Sequence, residues 1–168
     1  VQMRNCATMG GSIYSRFGFS DILTCMMALD TYVELYHGGI MPLSEFAKRP
    51  VRRDDKDILV RVIIKKDGRK AAYTTQRNSS TDFPLLACCV SRRGSNWYVA
   101  VGARPSKAQV VTITDDGYDS LAQLAREAAD SFTYGTNTRG SSRYRRQLAS
   151  VYIRRLMERL TGRSVNRG

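Results

Sequence analysis

The sequence predicts an α+β fold: antiparallel sheets with helices packed on them. Three observations carry this. Between residues 58 and 114, short runs of β-branched and apolar residues alternate with glycine-bearing turns, as in hairpin-connected strands. After residue 120 the apolar spacing lengthens to that of amphipathic helices. Strands followed by segregated helices make an α+β class, and 168 residues suit one compact domain or two small ones.

The stretch from Val1 to Phe19 is rich in glycine, serine and aromatics without a sustained period, and reads as strand and loop packed closely on something else. Ser20 is placed to cap a helix, with Asp21 in its first turn facing the positive helix end. Ile22, Leu23, Met26, Met27 and Leu29 make that helix largely apolar and therefore buried. Thr31 to Tyr36 alternates like a strand, whereas Gly38 to Lys56, with its prolines, glycines and charges, reads as loop. Ile58 to Ile64 is a further strand, closed by the turn signal of Lys65, Lys66, Asp67 and Gly68. Ala71 to Gln76, Phe83 to Ser91, Trp97 to Ala103 and Gln109 to Thr114 are the next strands. Ser120 with Gln123 resembles a capping box, ahead of a helix whose face is Leu121, Leu124, Ala125, Ala128 and Ala129. A last helix spans about Ser142 to Leu160, with Leu148, Val151, Tyr152, Leu156 and Leu160 inward and its arginines largely outward; Gly162 stops it.

Net charge is +12 with a pI near 10.0, which puts polyanions among the conceivable partners. Nine arginines lie between residues 139 and 168 against the single acid Glu158. No aromatic stacking surface or recognition element accompanies them, so nucleic acid is not the expected partner, and a solvated or partner-facing helix is. Cys6, Cys25, Cys88 and Cys89 form no CxxC pair and read as reduced core thiols, with Cys88 and Cys89 on opposite faces of one strand. The lone His37, before Gly38 and Gly39, reads as a turn residue. No apolar run approaches the ~20 residues that cross a bilayer, and Val1 to Arg4 carry no secretion pattern, so the expected location is the cytoplasm. No catalytic residue and no metal site is predicted, because there is no histidine with a nucleophile, no HExxH and no Walker loop. Chemistry here belongs to a bound cofactor.

The informative segment is ATMGGSIYSRFGFSD, Ala7 to Asp21. Gly10 and Gly11 allow consecutive amides to approach a pyrophosphate that a Cβ would hold off, and Thr8, Ser12, Ser15 and Ser20 add hydroxyls. This segment resembles the flavin-binding subunits and domains of the molybdenum hydroxylases, a family that includes xanthine dehydrogenase and carbon monoxide dehydrogenase. Arg4 and Asn5 ahead of Ala7, Thr8, Gly10 and Gly11, followed by Ser20 and Asp21, match the family's order. Met41 to Phe46 and the strand start at Asp57, Ile58 and Leu59 are also similar. Farther on, Arg77 to Leu86, the Gly102 to Pro105 turn and RGSSRYRRQLASVYIRRL, Arg139 to Leu156, resemble the family's C-terminal domain.

The resemblance implies two units: residues 1–66 as the C-terminal subdomain of the FAD-binding module, and residues 67–168 as the family's C-terminal domain. It implies FAD as cofactor, held by Ala7, Thr8, Gly10, Gly11 and Ser12, with Ser15, Ser20 and Asp21 as further contacts, Leu59 near the adenine or flavin edge, and Tyr14 against the isoalloxazine. It also implies a molybdopterin-binding subunit and a [2Fe-2S] subunit as partners, with electrons passing from the clusters through FAD to NAD or another acceptor. The family's other glycine-rich flavin loop precedes the matching region, so the site is expected to be incomplete in this chain and flavin binding by the chain alone to be weak. An apolar surface around Met26 and Met27 is expected to face that absent subdomain and to drive self-association. Tyr73 to Arg77, YTTQR, has no lysine where some relatives carry one near the flavin. The competing reading is a stand-alone basic interaction protein that keeps the fold and binds no flavin.

Overall fold

A computed structural model describes residues 6–51 and 56–162. Arg4 and Asn5 of the motif, and Arg163 and Arg167 of the basic tail, lie outside the described residues.

The chain opens with a helix, not with strand and loop. α1 spans Met9–Tyr14, and the Thr8 hydroxyl caps it by accepting from Gly11 N. Gly10 and Gly11 are poor helix formers and hide this turn from a reading of propensity, but Ile13 is fully buried and fixes it. α2, Asp21–Met27, starts where expected: the Ser20 hydroxyl accepts from Leu23 N. β1 (Thr31–Leu35), β2 (Gly39–Pro42) and β3 (Leu59–Ile64) form an antiparallel sheet in the order β2-β1-β3. The stretch from 38 to 56 is thus more regular than expected, since α3, Leu43–Lys48, follows β2 directly. Pro42, a breaker by composition, is the N-cap of α3, where its missing N–H costs nothing, and Leu43, Phe46 and Ala47 give the helix its buried stripe.

The second sheet is a meander, β4 (Lys70–Gln76), β5 (Leu86–Arg93), β6 (Asn96–Gly102) and β7 (Gln109–Thr114), in sequence order. Its two faces serve two cores. Ala72, Val90, Val99 and Val111 align across the strands and face α4 (Leu121–Asp130) and α5 (Ser142–Leu160). Tyr73, Cys89, Ala100 and Val110 align in the next row and face α2 and the first sheet. Cys88 and Cys89 accordingly point into different cores, as alternation requires, whereas Cys25 is half-buried and Cys6, expected in the core, is exposed ahead of α1.

The expected boundary near residue 66 falls in the link between β3 and β4, and the second core crosses it, joining Leu23, Val33 and Phe46 to Cys89 and Ala108. Polar contacts reinforce this joint. Arg69 forks onto Asp67, donates to Ala28 O at 3.0 Å and lies 4.2 Å from the centroid of the Tyr98 ring. Gly102 sits so close to α2 that a Cβ there would lie 2.2 Å from Thr24 Oγ1.

Two expectations about surfaces change. Met27 is 4% exposed beneath the second sheet, and Met26 is half-buried against the same core, so neither stands exposed on α2. Among the exposed apolar side chains, Phe17, Phe19 and Phe83 lie together, and Ile58, Val60 and Ile64 lie at the start of β3 and along it. On α5 the inward positions are Arg145, Ala149, Ile153, Leu156 and Met157, while Leu148, Val151, Tyr152 and Leu160 are only half-buried. Arg145 turns inward because four oxygens are waiting for its guanidinium: Leu85 O, Gly135 O, Gly140 O and Asn137 Oδ1, at 2.6 to 2.9 Å.

Candidate flavin-binding cleft

The caps of the first two helices build one wall of a cleft of about 600 Å³. Thr8 Oγ1 accepts from Gly11 N at 3.0 Å, and the Ser12 hydroxyl donates to Thr8 O at 3.0 Å. The Ser20 hydroxyl donates to Ser12 O at 2.9 Å while accepting from Leu23 N at 3.2 Å, which ties the start of α2 to α1. A Cβ at position 11 would stand 3.0 Å from Thr8 Oγ1, the atom its own amide contacts, so the cap is built around a glycine.

The cleft gathers seven of the ten residues singled out in the sequence: Ala7, Thr8, Gly11, Ser12, Ser15, Ser20 and Asp21. The other three lie elsewhere. Gly10 faces Leu59, whose Cδ2 is 3.6 Å from where a Cβ on Gly10 would be, and neither lines the cleft. Tyr14 shares the Gly10 side of α1 one turn later. Its ring packs on Phe46 at 5.8 Å, and its hydroxyl accepts from Asp57 N at 3.3 Å. Asp57 itself is a loop anchor that accepts from the amides of His37, Gly38 and Ile58, and these bonds hold its carboxyl below the usual range.

The opposite wall was not foreseen. It is made by Arg77, Thr81, Asp82, Phe83 and Pro84, between β4 and β5, with Phe17 and Phe19 completing an aromatic rim. Phe17 and Phe19 stack at 5.1 Å with an interplanar angle of 9°, and Phe83 meets Phe19 at 4.6 Å. Arg77 is the cation of this wall, and it is paired: its Nη2 donates to Asp21 Oδ2 and its Nη1 to Asp82 O. Asp21 Oδ1 accepts from the Tyr73 hydroxyl at 2.6 Å. Burial first, and the Asp21 carboxylate second, push the Tyr73 hydroxyl well above its usual value, so it stays a donor. The sequence signal for this wall was the segment Arg77 to Leu86, which was read as part of the C-terminal domain and as the approach to a strand, without a role in the site.

Glycine and hydroxyls on one side, with a cation and exposed aromatic rings on the other, suit a ligand that joins phosphates to a planar ring. The volume is within the ~300–1,000 Å³ typical of cofactor pockets. Among the described residues no group of three histidine, cysteine or acidic side chains could hold a metal, and no helix is long and apolar enough to cross a membrane.

Comparison with known proteins agrees with this chemistry. The family model described as the FAD binding domain in molybdopterin dehydrogenase matches residues 1–65. No curated protein matches the sequence. Among solved structures, quinoline 2-oxidoreductase from Pseudomonas putida 86 superposes with a TM-score of 0.79 at 20% identity, over 97% of this chain and 64% of that one. A Cu,Mo-CO dehydrogenase in its cyanide-inactivated form gives 0.76 at 18% identity over 98% and 64%. Carbon monoxide dehydrogenase from Hydrogenophaga pseudoflava, in a form lacking the Mo-pyranopterin moiety, gives 0.74 at 16% identity over 98% and 64%. The chain thus spans a little under two thirds of the solved chains it resembles. Residues 1–65 thus match the model of an FAD binding domain in molybdopterin dehydrogenase, and the chain as a whole shares the fold of these solved oxidoreductase chains.

Proposed function

We propose that this chain holds the FAD of a molybdenum hydroxylase of the xanthine dehydrogenase type, in which electrons from [2Fe-2S] clusters leave through the flavin to NAD or another acceptor. Its partners in that reading are a molybdopterin-binding subunit, an iron–sulfur subunit and the preceding flavin subdomain. Residues 1–66 form the second half of the flavin module, and residues 67–168 form the family's C-terminal domain. The single observation that carries the reading is the cleft in which Thr8, Gly11, Ser12 and Asp21 stand opposite Arg77 and the phenylalanine rim.

Bound FAD would accept a pair of electrons and release them singly or together, chemistry that no side chain here supplies. The chain's own contribution is to position and shield. Thr8, Gly11 and Ser12 shape the wall that phosphates approach. The Arg77 guanidinium, kept in place by Asp21, lies where it offsets negative charge. Phe17, Phe19 and Phe83 cover ring surface from water.

Titration of the chain with FAD, followed by quenching of flavin fluorescence, tests this. Binding weaker than about 1 μM is expected, because in this reading the preceding flavin subdomain supplies part of the burial of a complete pocket. Gly11→Val, which pushes a side chain onto Thr8 Oγ1, should abolish it. FAD binding that Gly11→Val leaves unchanged would refute this assignment of the cleft.

A further inference from the structure

Beyond the phenylalanine rim lies a second cleft, of about 500 Å³. It shares Phe19, Phe83 and Pro84 with the first and is otherwise lined by different residues, among them Asn137, Arg139 and Arg145.

Its charge is unbalanced. Arg145 is 1% exposed, and all four of its acceptors are neutral, three main-chain carbonyls and an asparagine amide. Arg104, also 1% exposed and flanked by the lining residues Ala103 and Pro105, donates only to Lys107 O, Thr133 O and Thr133 Oγ1. No carboxylate among the described residues pairs with either. Arg139 does pair with Asp82 at 2.9 Å, yet its Nε is shielded from solvent and has no hydrogen-bond partner among the described residues. Burial, and then the neighbouring Arg139 charge, hold the Arg145 guanidinium below its usual value. Buried cations with neutral partners leave a positive potential that an anion in the adjoining space would offset.

The cleft also offers ring surface. Phe83 is 55% exposed and Phe19 39% exposed, tilted at 52° to each other, and the Arg139 guanidinium is 5.8 Å from the Phe83 centroid. Exposed aromatic faces beside arginine are how proteins hold a base attached to a phosphate.

We propose that this second cleft binds a mononucleotide, its phosphate at Arg139 and its base on Phe83 and Phe19, the rings it shares with the first cleft. Calorimetric titration of the chain with AMP, adenosine and inorganic phosphate tests the assignment. AMP is expected to bind with a Kd below about 1 mM, and about tenfold more tightly than adenosine or phosphate alone. Arg139→Gln should weaken AMP about tenfold and leave FAD affinity unchanged, because Arg139 does not line the first cleft. Should that variant fail to fold, Arg139→Lys, which keeps the charge but loses the Nε donor, is expected to weaken AMP in the same direction. Absence of AMP binding at millimolar concentration overturns the proposal. So does an Arg139→Gln variant that folds and binds AMP as tightly as the wild type, which would put AMP in the first cleft, and so does phosphate binding as tight as that of AMP. A chain that binds AMP but no FAD would count against the flavin reading and leave this one standing.

Discussion

Asp21 is the side chain whose removal best separates what the structure implies from what a helix cap alone would do. Its two oxygens are both engaged across the joint between the flavin-side unit and the second sheet, one with Tyr73 and one with Arg77. Asp21→Ala leaves the Tyr73 hydroxyl half-buried without an acceptor, which costs about 1–2 kcal/mol. The ion pair adds little, because the Asp21 side chain is 39% exposed and solvent screens it; about 0.5 kcal/mol is appropriate. Loss of a first-turn carboxylate adds about 0.5 kcal/mol. The sum is about 2–3 kcal/mol, or a melting temperature lower by roughly 5–10 °C for a protein of this size. Asp21→Asn keeps an acceptor for Tyr73 and should lose only about 1 kcal/mol. Differential scanning calorimetry of both variants, with Tyr73→Phe completing a double-mutant cycle, measures these terms, and a coupling of about 1 kcal/mol between positions 21 and 73 is expected. Independent effects at the two positions, or an Asp21→Ala protein that melts with the wild type, would show that the clasp contributes nothing and that Asp21 serves only the helix or the cofactor.

Arg145→Ala strands three carbonyls and an amide oxygen at the foot of α5 and should cost at least about 3 kcal/mol, measured by urea unfolding. Gly102→Ala forces a Cβ against Thr24 Oγ1, so a loss of about 3 kcal/mol or failure to fold is expected, whereas Gly117→Ala, with open space around it but a φ of 85°, should cost only about 1 kcal/mol. Asp67, beside Arg69, has its carboxyl held down to about 2 from 3.8. Its contribution to stability is therefore present above about pH 4 and lost as pH falls toward 2, and Asp67→Asn should flatten unfolding midpoints across that acid window while leaving those at higher pH parallel to wild type.

Much of the fold was legible because its signals are local. Ser20 and Ser120 each cap a helix with their hydroxyls, and the turn at Gly68 has the positive φ that its glycine advertises. What was missed depends on contacts between distant residues. α1 forms despite two glycines because Ile13 has a core to enter, and α3 forms behind Pro42 because Leu43 and Phe46 do. Arg145 looks like one more surface arginine until the carbonyls of Leu85, Gly135 and Gly140 converge on it. The site divides the same way. The glycine and hydroxyl wall is contiguous in sequence and could be read from it. The opposite wall arrives from a segment more than fifty residues later, and only the folded meander brings Arg77 and Phe83 to Asp21 and Phe19.

Strand β5 has no wet side: from Leu86 to Ser91 every residue is buried, Cys88 and Val90 toward the helices and Cys89 toward the flavin-side core. Most strands at a protein surface can slip by two residues and still present an apolar face inward. Here a slip by one exchanges the two cores, and a slip by two drags Ser91, whose hydroxyl is held by Ala28 O, away from its partner. The strand is consequently keyed in place from both sides. Insertions or deletions within it should be rejected by either layer, while the reversal at Gly94 and Ser95 leaves length variation somewhere to go. In any attempt to graft the flavin-side unit onto a different helical layer, β5 is the part that has to be redesigned for both.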